Sequence, residues 1–443
     1  MKISIFPSIQ DKIKQFYPHT IALIFLGYAP FLGESFRFFF LPVSGFIFLS
    51  LIFSLFNLNA LKQTFFENNP INLSFFLIII YIILRFIFRD TKNNLYIACI
   101  DLAPFFLMGV GFFFGRYISK FLNYLNLEKV FSVITFLVFF KVVIILISNI
   151  DLRYDGSSFF SGTYSLSSAN IPRLILKGEN VFLLSAAIIF LAKILYKKKI
   201  SLIQAIFISL CFFLLLLNGV RSLYLGIFFG LMLLVFLWHK ISFKFFSKIV
   251  AITLLVILAI IYVRNDRSQC YVDCAGFDGV SPGMSVLEEN QRFIPNFLFN
   301  SVGMKLRMAE SLDLVLTVGP NWMIGLGPGA TFYSPSMNDL QDHGLKGGPY
   351  AHSLPFWLLI KGGLILMLLF YNLVFWILRD KYLSVINERS SNFGACIAFA
   401  ILIGICVFDL LSNQYATLAG SFYFGFWAAY PNHLMGRNYS AQY

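Results

Sequence analysis

Apolar residues run along this chain in blocks rather than at the 3.6- or 2-residue periods of half-buried elements, and a block of about 20 is what a membrane-crossing helix requires. Twelve such blocks are read as spanning helices, at residues 20–34, 37–57, 71–88, 95–117, 128–149, 180–196, 200–217, 222–238, 246–263, 351–378, 393–411 and 413–430. If Glu34-Ser35-Phe36-Arg37 forms a re-entrant turn, the count becomes eleven. Between the ninth and tenth blocks lies one long polar connection, residues 264–350. The fold class expected is therefore an all-α polytopic integral membrane protein of about 12 spans. Residues 1–19 are read as a cytoplasmic amphipathic segment, because Ile5, Ile9, Ile13 and Phe16 recur at helical spacing beside Lys2, Lys12 and Lys14. They are too polar for a cleavable signal. Residues 20–263 form the first nine spans, 264–350 the outer loop, 351–430 the last three spans, and 431–443 a cytoplasmic tail.

Composition agrees with that picture. The 443 residues are 58% hydrophobic and 12% charged, which excludes an ordinary soluble globule, where charged residues make up about a quarter. A formal charge of +13 does not signal nucleic acid, since no basic run is interleaved with aromatics on a soluble module. It reports topology. Lys193, Lys197, Lys198 and Lys199, then Lys240, Lys244 and Lys248, then Arg379, Lys381 and Arg389 fall in connections that become cytoplasmic when both ends are inside. Arg89 and Lys92 occupy the one short connection that disobeys. The 264–350 connection then lies outside, with six basic against nine acidic side chains. No fixed-period repeat appears, and nothing pairs broken helices between two halves as an inverted-repeat transporter would.

Few residues stand out as chemistry. In GLGPGATFY, Gly325, Gly327 and Gly329 open the backbone and could leave amides free for an anion; a tight turn before the chain re-enters the bilayer is the competing reading. His352, in PYAHSLPFWLLIKGGL, stands where water meets apolar surface and can accept a proton, or simply anchor a helix end. Arg221, in LLLLNGVRSLYLG, puts a guanidinium at the outer mouth of the seventh and eighth spans, facing a cavity or snorkelling to lipid phosphate. A helix is expected over SVGMKLRMAESLDLVLTV, carrying Arg307. Asp339, Asp342 and His343 have metal-ligand chemistry, but a solvated loop is the favoured reading and no metal is assigned. Cys270 and Cys274 either close a small disulfide in an oxidising compartment or remain free thiols. Asp101 and Lys141, at similar depth in neighbouring spans, are expected to pair; Asp409 and Arg85 have no evident partner.

NGVRSLYLG, the helix with Arg307, GLGPGATFY and AHSLPFWLLIKGGL, in that order around one outer loop, resemble the O-antigen ligase and O-antigen polymerase family of bacterial envelope glycosyltransferases. The resemblance covers roughly residues 205–375. Val220, Ser353 and Lys361 depart from the family pattern. The resemblance implies a protein of the bacterial inner membrane working on its periplasmic face in lipopolysaccharide biosynthesis. It would move a glycan from undecaprenyl diphosphate to a second acceptor, lipid A-core for a ligase or another lipid-linked repeat unit for a polymerase. Arg221 and Arg307 would hold the diphosphate, whose oxygens suit the guanidinium fork. His352 would take the proton of the attacking hydroxyl. One base and no enzyme nucleophile implies inversion at the anomeric carbon, without metal or cofactor. A transporter of lipid-linked sugars is the alternative from another class.

Overall fold

The computed structural model describes residues 9–31, 40–65, 69–122, 124–147, 162–166, 172–176, 179–196, 201–218, 220–239, 302–332, 351, 353–387, 393–413 and 415–430. They form helices α1 (Ile9–Tyr28), α2 (Phe40–Phe56), α3 (Leu58–Phe65), α4 (Pro70–Ile87), α5 (Leu95–Ile118) and α6 (Tyr124–Ile147). A two-stranded antiparallel hairpin follows, β1 (Gly162–Leu166) with β2 (Pro172–Leu176). The remaining helices are α7 (Asn180–Tyr196), α8 (Leu202–Leu217), α9 (Arg221–His239), α10 (Val302–Val318), α11 (Leu354–Asn387), α12 (Phe393–Ser412) and α13 (Leu418–Ala429). Among the described residues four helices are long and apolar enough to cross a membrane, within α4, α5, α11 and α12. Five shorter apolar helical stretches, in α1, α2, α7, α8 and α9, accompany them.

The polarity of α4 is inverted relative to a soluble protein. Leu73, Leu77, Ile80, Leu84 and Ile87 form an exposed apolar stripe, whereas Asn72 and Ser74 are buried. Ser74 accepts a 2.8 Å bond from the Asn372 amide of α11. Apolar outside and hydrogen-bonded polar groups inside is the arrangement a lipid solvent selects.

Helices that cannot gain by hiding apolar surface from water pack instead through close backbone approach. In α5, Gly111 and Gly115 lie against the carbonyls of Phe422 and Phe426 in α13, and Gly425 lies against the carbonyl of Met108. Gly226 and Gly230 of α9 meet the carbonyls of Gly404 and Ala400 in α12 in the same way. Both seams are small-residue pairs four apart, in GFFFG and GIFFG. Gly111→Leu should therefore drive α13 off α5. We expect at least the ~1–3 kcal/mol of an overpacked core, read as a lower midpoint of thermal unfolding in detergent, while Leu73→Ala on the exposed stripe leaves it nearly unchanged.

Several boundaries differ from the apolar blocks. The helix expected from residue 20 begins at Ile9 and runs through Pro18 as one helix, so residues 9–19 of the expected amphipathic segment are continuous with it. Residues 413–430 hold a helix of only 12 residues, about 18 Å long at 1.5 Å per residue, short of a ~30 Å hydrocarbon core. Every residue of this helix, α13, is buried. The described residues are all-helical as expected, apart from the short β1–β2 hairpin. The expected ninth span, 246–263, lies outside the described residues.

One helix is broken. In α11, Gly363 has φ 68° and ψ −167°, a conformation that L side chains rarely adopt and glycine accepts freely. The groups freed by the break are taken up by the segment after α10. Leu364 N–H donates to the Trp322 carbonyl at 2.9 Å, Ile365 N–H to Met323 at 3.2 Å, and Leu326 N–H to Ile360 at 2.8 Å. The Tyr81 hydroxyl donates to the Gly362 carbonyl at 2.7 Å. Irregular backbone at membrane depth persists where protein satisfies it, and here it does.

Candidate functional site

The glycine-rich segment is built into this break. Gly325, Gly327 and Gly329 have φ of 68°, 95° and 84°, so the chain turns three times within five residues. The N–H of Gly325 donates to Asn321 at 2.7 Å, and that of Gly329 to Asp101 Oδ2 at 2.8 Å. These amides are engaged within the protein. The expectation of free anion-binding amides is thus not met at Gly325 and Gly329, and the tight-turn reading describes them. From α4, Arg85 Nη2 donates to the Gly325 carbonyl at 3.0 Å. Asn93, in the α4–α5 connection, donates to the carbonyls of Leu326 and Pro328 at 3.0 and 3.3 Å.

At the bottom of the segment sits an ion pair. Lys361 Nζ is 2.7 Å from Asp101 Oδ2, with side-chain exposures of 0% and 1%. Each partner also holds the loop, since Lys361 donates to the Ala330 carbonyl at 2.7 Å while Asp101 accepts from Gly329 N–H. One turn along both helices, Phe105 stacks on Trp357 with ring centres 5.7 Å apart. The expected pairing of Asp101 with Lys141 is therefore wrong: Lys141 pairs with Glu179, just before α7. Equal depth put Asp101 and Lys141 together, but helix azimuth decides contacts. Asp101 faces α11 and Lys141 faces the start of α7. Arg85 and Asp409 acquire partners too, Asp409 Oδ1 accepting the Tyr415 N–H at 2.7 Å.

The start of α9 and the residue preceding His352 lie at one end of the bundle. Arg221 is the first residue of α9. The close approaches of Gly230 to Ala400 and Gly226 to Gly404 set an antiparallel register that puts the start of α9 level with Asp409. One turn beyond Asp409, the Asn413 amide donates to the Ala351 carbonyl at 2.9 Å, so the residue before His352 lies at this same end. Asn218 beside Arg221 donates to Asn180 Oδ1 at 2.6 Å, adding the start of α7. Arg307 lies within α10, whose chain continues into the glycine-rich segment and whose Leu314 and Val318 join the core. His352 itself, Cys270, Cys274, Asp339, Asp342 and His343 lie outside the described residues, as do the side chains of Arg221 and Arg307.

The Asp101–Lys361 clamp and the break at Gly363 escaped sequence reading. Lys361-Gly362-Gly363 inside an apolar run was the available signal, a charge at membrane depth beside two helix breakers. No protein-family model matches the chain, and no curated protein matches it. The family likeness therefore rests on the quoted motifs.

Proposed function

We propose that the protein is a membrane glycosyltransferase that moves a glycan from undecaprenyl diphosphate to a second acceptor on the outer face of the bacterial inner membrane. Its leading form is an O-antigen ligase joining O-antigen to lipid A-core; the alternative is a polymerase of lipid-linked repeat units. The observation that carries this reading is the gathering of the α9 start with Arg221 and the residues flanking His352 at one end of the bundle. The sequence motifs resembling the family come from segments more than a hundred residues apart.

Chemistry explains why such a set suffices. Diphosphate is already a good leaving group, so the donor needs fixed positive charge rather than a protonating acid. Arg221 and Arg307 supply it. The acceptor hydroxyl must lose its proton to His352 as it attacks the anomeric carbon, and a single displacement inverts that centre. Fixed guanidinium groups take the place a divalent cation would otherwise fill. The extracytoplasmic placement of this end follows from the excess of Lys and Arg in the opposite short connections.

A second reading, transport of lipid-linked sugars, draws on the break in α11, because transporters coordinate cargo at unwound helices. Against it, the backbone groups of Leu364, Ile365, Ile360 and Gly362 are bonded within the chain. Purified protein given a lipid-linked oligosaccharide separates the readings. With lipid A-core we expect a new glycolipid, formed equally well after exhaustive chelation. A ladder made without lipid A-core identifies a polymerase. Movement of the donor across vesicles with no new bond would reject the transferase, and activity restored only by Mg²⁺ or Mn²⁺ would bring Asp339, Asp342 and His343 to the centre.

A further inference from the structure

The tip that fills the break in α11, residues 319–324, combines two features that conflict in water. Its side chains are apolar and uncovered: Trp322, Met323 and Ile324 are 52%, 42% and 43% exposed, and Val315 and Leu316 extend the patch onto the last turn of α10. Its backbone needs nothing from water. The Asn321 carbonyl accepts the N–H groups of Ile324 and Gly325 at 3.1 and 2.7 Å, the Trp322 and Met323 carbonyls accept from Leu364 and Ile365, and Leu326 N–H donates to Ile360. The Gly325 and Leu326 carbonyls accept from Arg85 and Asn93. Three consecutive exposed apolar residues are a fault on a water-facing loop, whereas a backbone bonded within the protein is the condition for lying at hydrocarbon depth.

The level of the tip agrees. Helix α4 has 18 residues, about 27 Å at 1.5 Å per residue and close to the ~30 Å of a hydrocarbon core. Tyr81, whose hydroxyl donates to Gly362 beside the tip, lies six residues before the Ile87 end of α4, about 9 Å inside it. Leu77, Ile80 and Leu84 are exposed around that level, on the face of α4 that lipid covers.

We propose that residues 319–324 are a re-entrant tip seated in the bilayer, with Trp322, Met323 and Ile324 in contact with the hydrocarbon chains of lipids in the leaflet nearer the α4–α5 connection. Part of the long connection expected wholly outside the membrane, 264–350, then lies within it. The occupant is lipid because the tip shares its level with the lipid-facing stripe of α4. The tip runs directly into the Gly325–Gly329 segment held by Arg85 and Asp101, so lipid contact bears on that segment. The proposal concerns lipid contact alone and stands apart from the transferase reading.

The test uses full-length protein in phosphatidylcholine vesicles whose chains carry bromine, a contact quencher of indole fluorescence. The chain has five tryptophans, so the Trp322 component is taken as the difference between wild type and Trp322→Phe. We expect that component to lose most of its intensity in brominated vesicles and to keep it against aqueous iodide. Quenching by iodide would put the tip in water. Quenching by neither agent would put it under protein, a second copy or another part of this chain. Either result overturns the proposal. Should Trp322→Phe fold poorly, wild-type protein in vesicles whose acyl chains carry a diazirine answers the same question. Cross-linked residues mapped by mass spectrometry are expected to include 322–324 as well as Leu77, Ile80 and Leu84, and adducts on α4 with none on the tip would overturn the proposal.

Discussion

Lys361→Met is expected to be among the most damaging single substitutions in the chain. It leaves the Asp101 carboxylate, 1% exposed, without its cation, and breaking a buried pair from one side typically costs about 3–5 kcal/mol. It also strips the Ala330 carbonyl of its donor, so the glycine-rich segment loses its floor. Asp101→Asn should cost less, because an amide oxygen can still accept from Gly329 N–H. The informative variant is the charge reversal Asp101→Lys with Lys361→Asp. A simple ion pair would survive it. Here it should fail, since lysine cannot accept from the Gly329 amide and aspartate cannot donate to the Ala330 carbonyl. Unfolding midpoints in detergent for the two singles and the reversal decide the matter, and recovery of wild-type stability by the reversal would reduce the clamp to an ordinary pair.

His352→Ala is expected to remove most turnover, by about 10²–10⁴-fold, the usual contribution of a general base, while the lipid-linked donor still binds. Arg221→Lys keeps charge but loses the two-pronged match to phosphate oxygens, so it should slow transfer as well. Arg307→Ala should weaken donor binding together with the rate, because diphosphate is anionic before and after the bond breaks. If His352 only anchors a helix end and the arginines only snorkel, these variants change folded yield and nothing else. Single-turnover rates on samples matched for folded protein separate the outcomes, and a near-normal rate for His352→Ala would end the assignment of the base.

The two experiments probe different layers. The clamp variants act on the scaffold around the break at Gly363; the His352 and Arg221 variants act on the end of the bundle that the scaffold presents. A clamp variant that folds should lose transfer by displacing the start of α11.

What the sequence alone determined is where the long apolar helices lie along the chain. The blocks 71–88, 95–117, 180–196 and 393–411 became α4, α5, α7 and α12 almost residue for residue, because hydrocarbon thickness sets the length of an apolar run and helices close their own hydrogen bonds. In the structure Asn69 and Asn94 cap α4 and α5. Tertiary structure decided everything that depends on helix azimuth and on partners distant in the chain. Depth along a helix is a one-dimensional count, so it put Asp101 beside Lys141, whereas Asp101 pairs with Lys361 and Lys141 with Glu179. The glycines were legible as turns, yet whether their amides face an anion or the carboxylate of Asp101 depends on α5, more than two hundred residues earlier. Apolarity marked 413–430 and could not reveal a 12-residue helix enclosed on all sides, because a stretch buried in protein and one facing lipid have the same composition. In a membrane, hydrophobicity ceases to distinguish inside from outside, and hydrogen bonds, charge pairs and glycine contacts decide which helices meet.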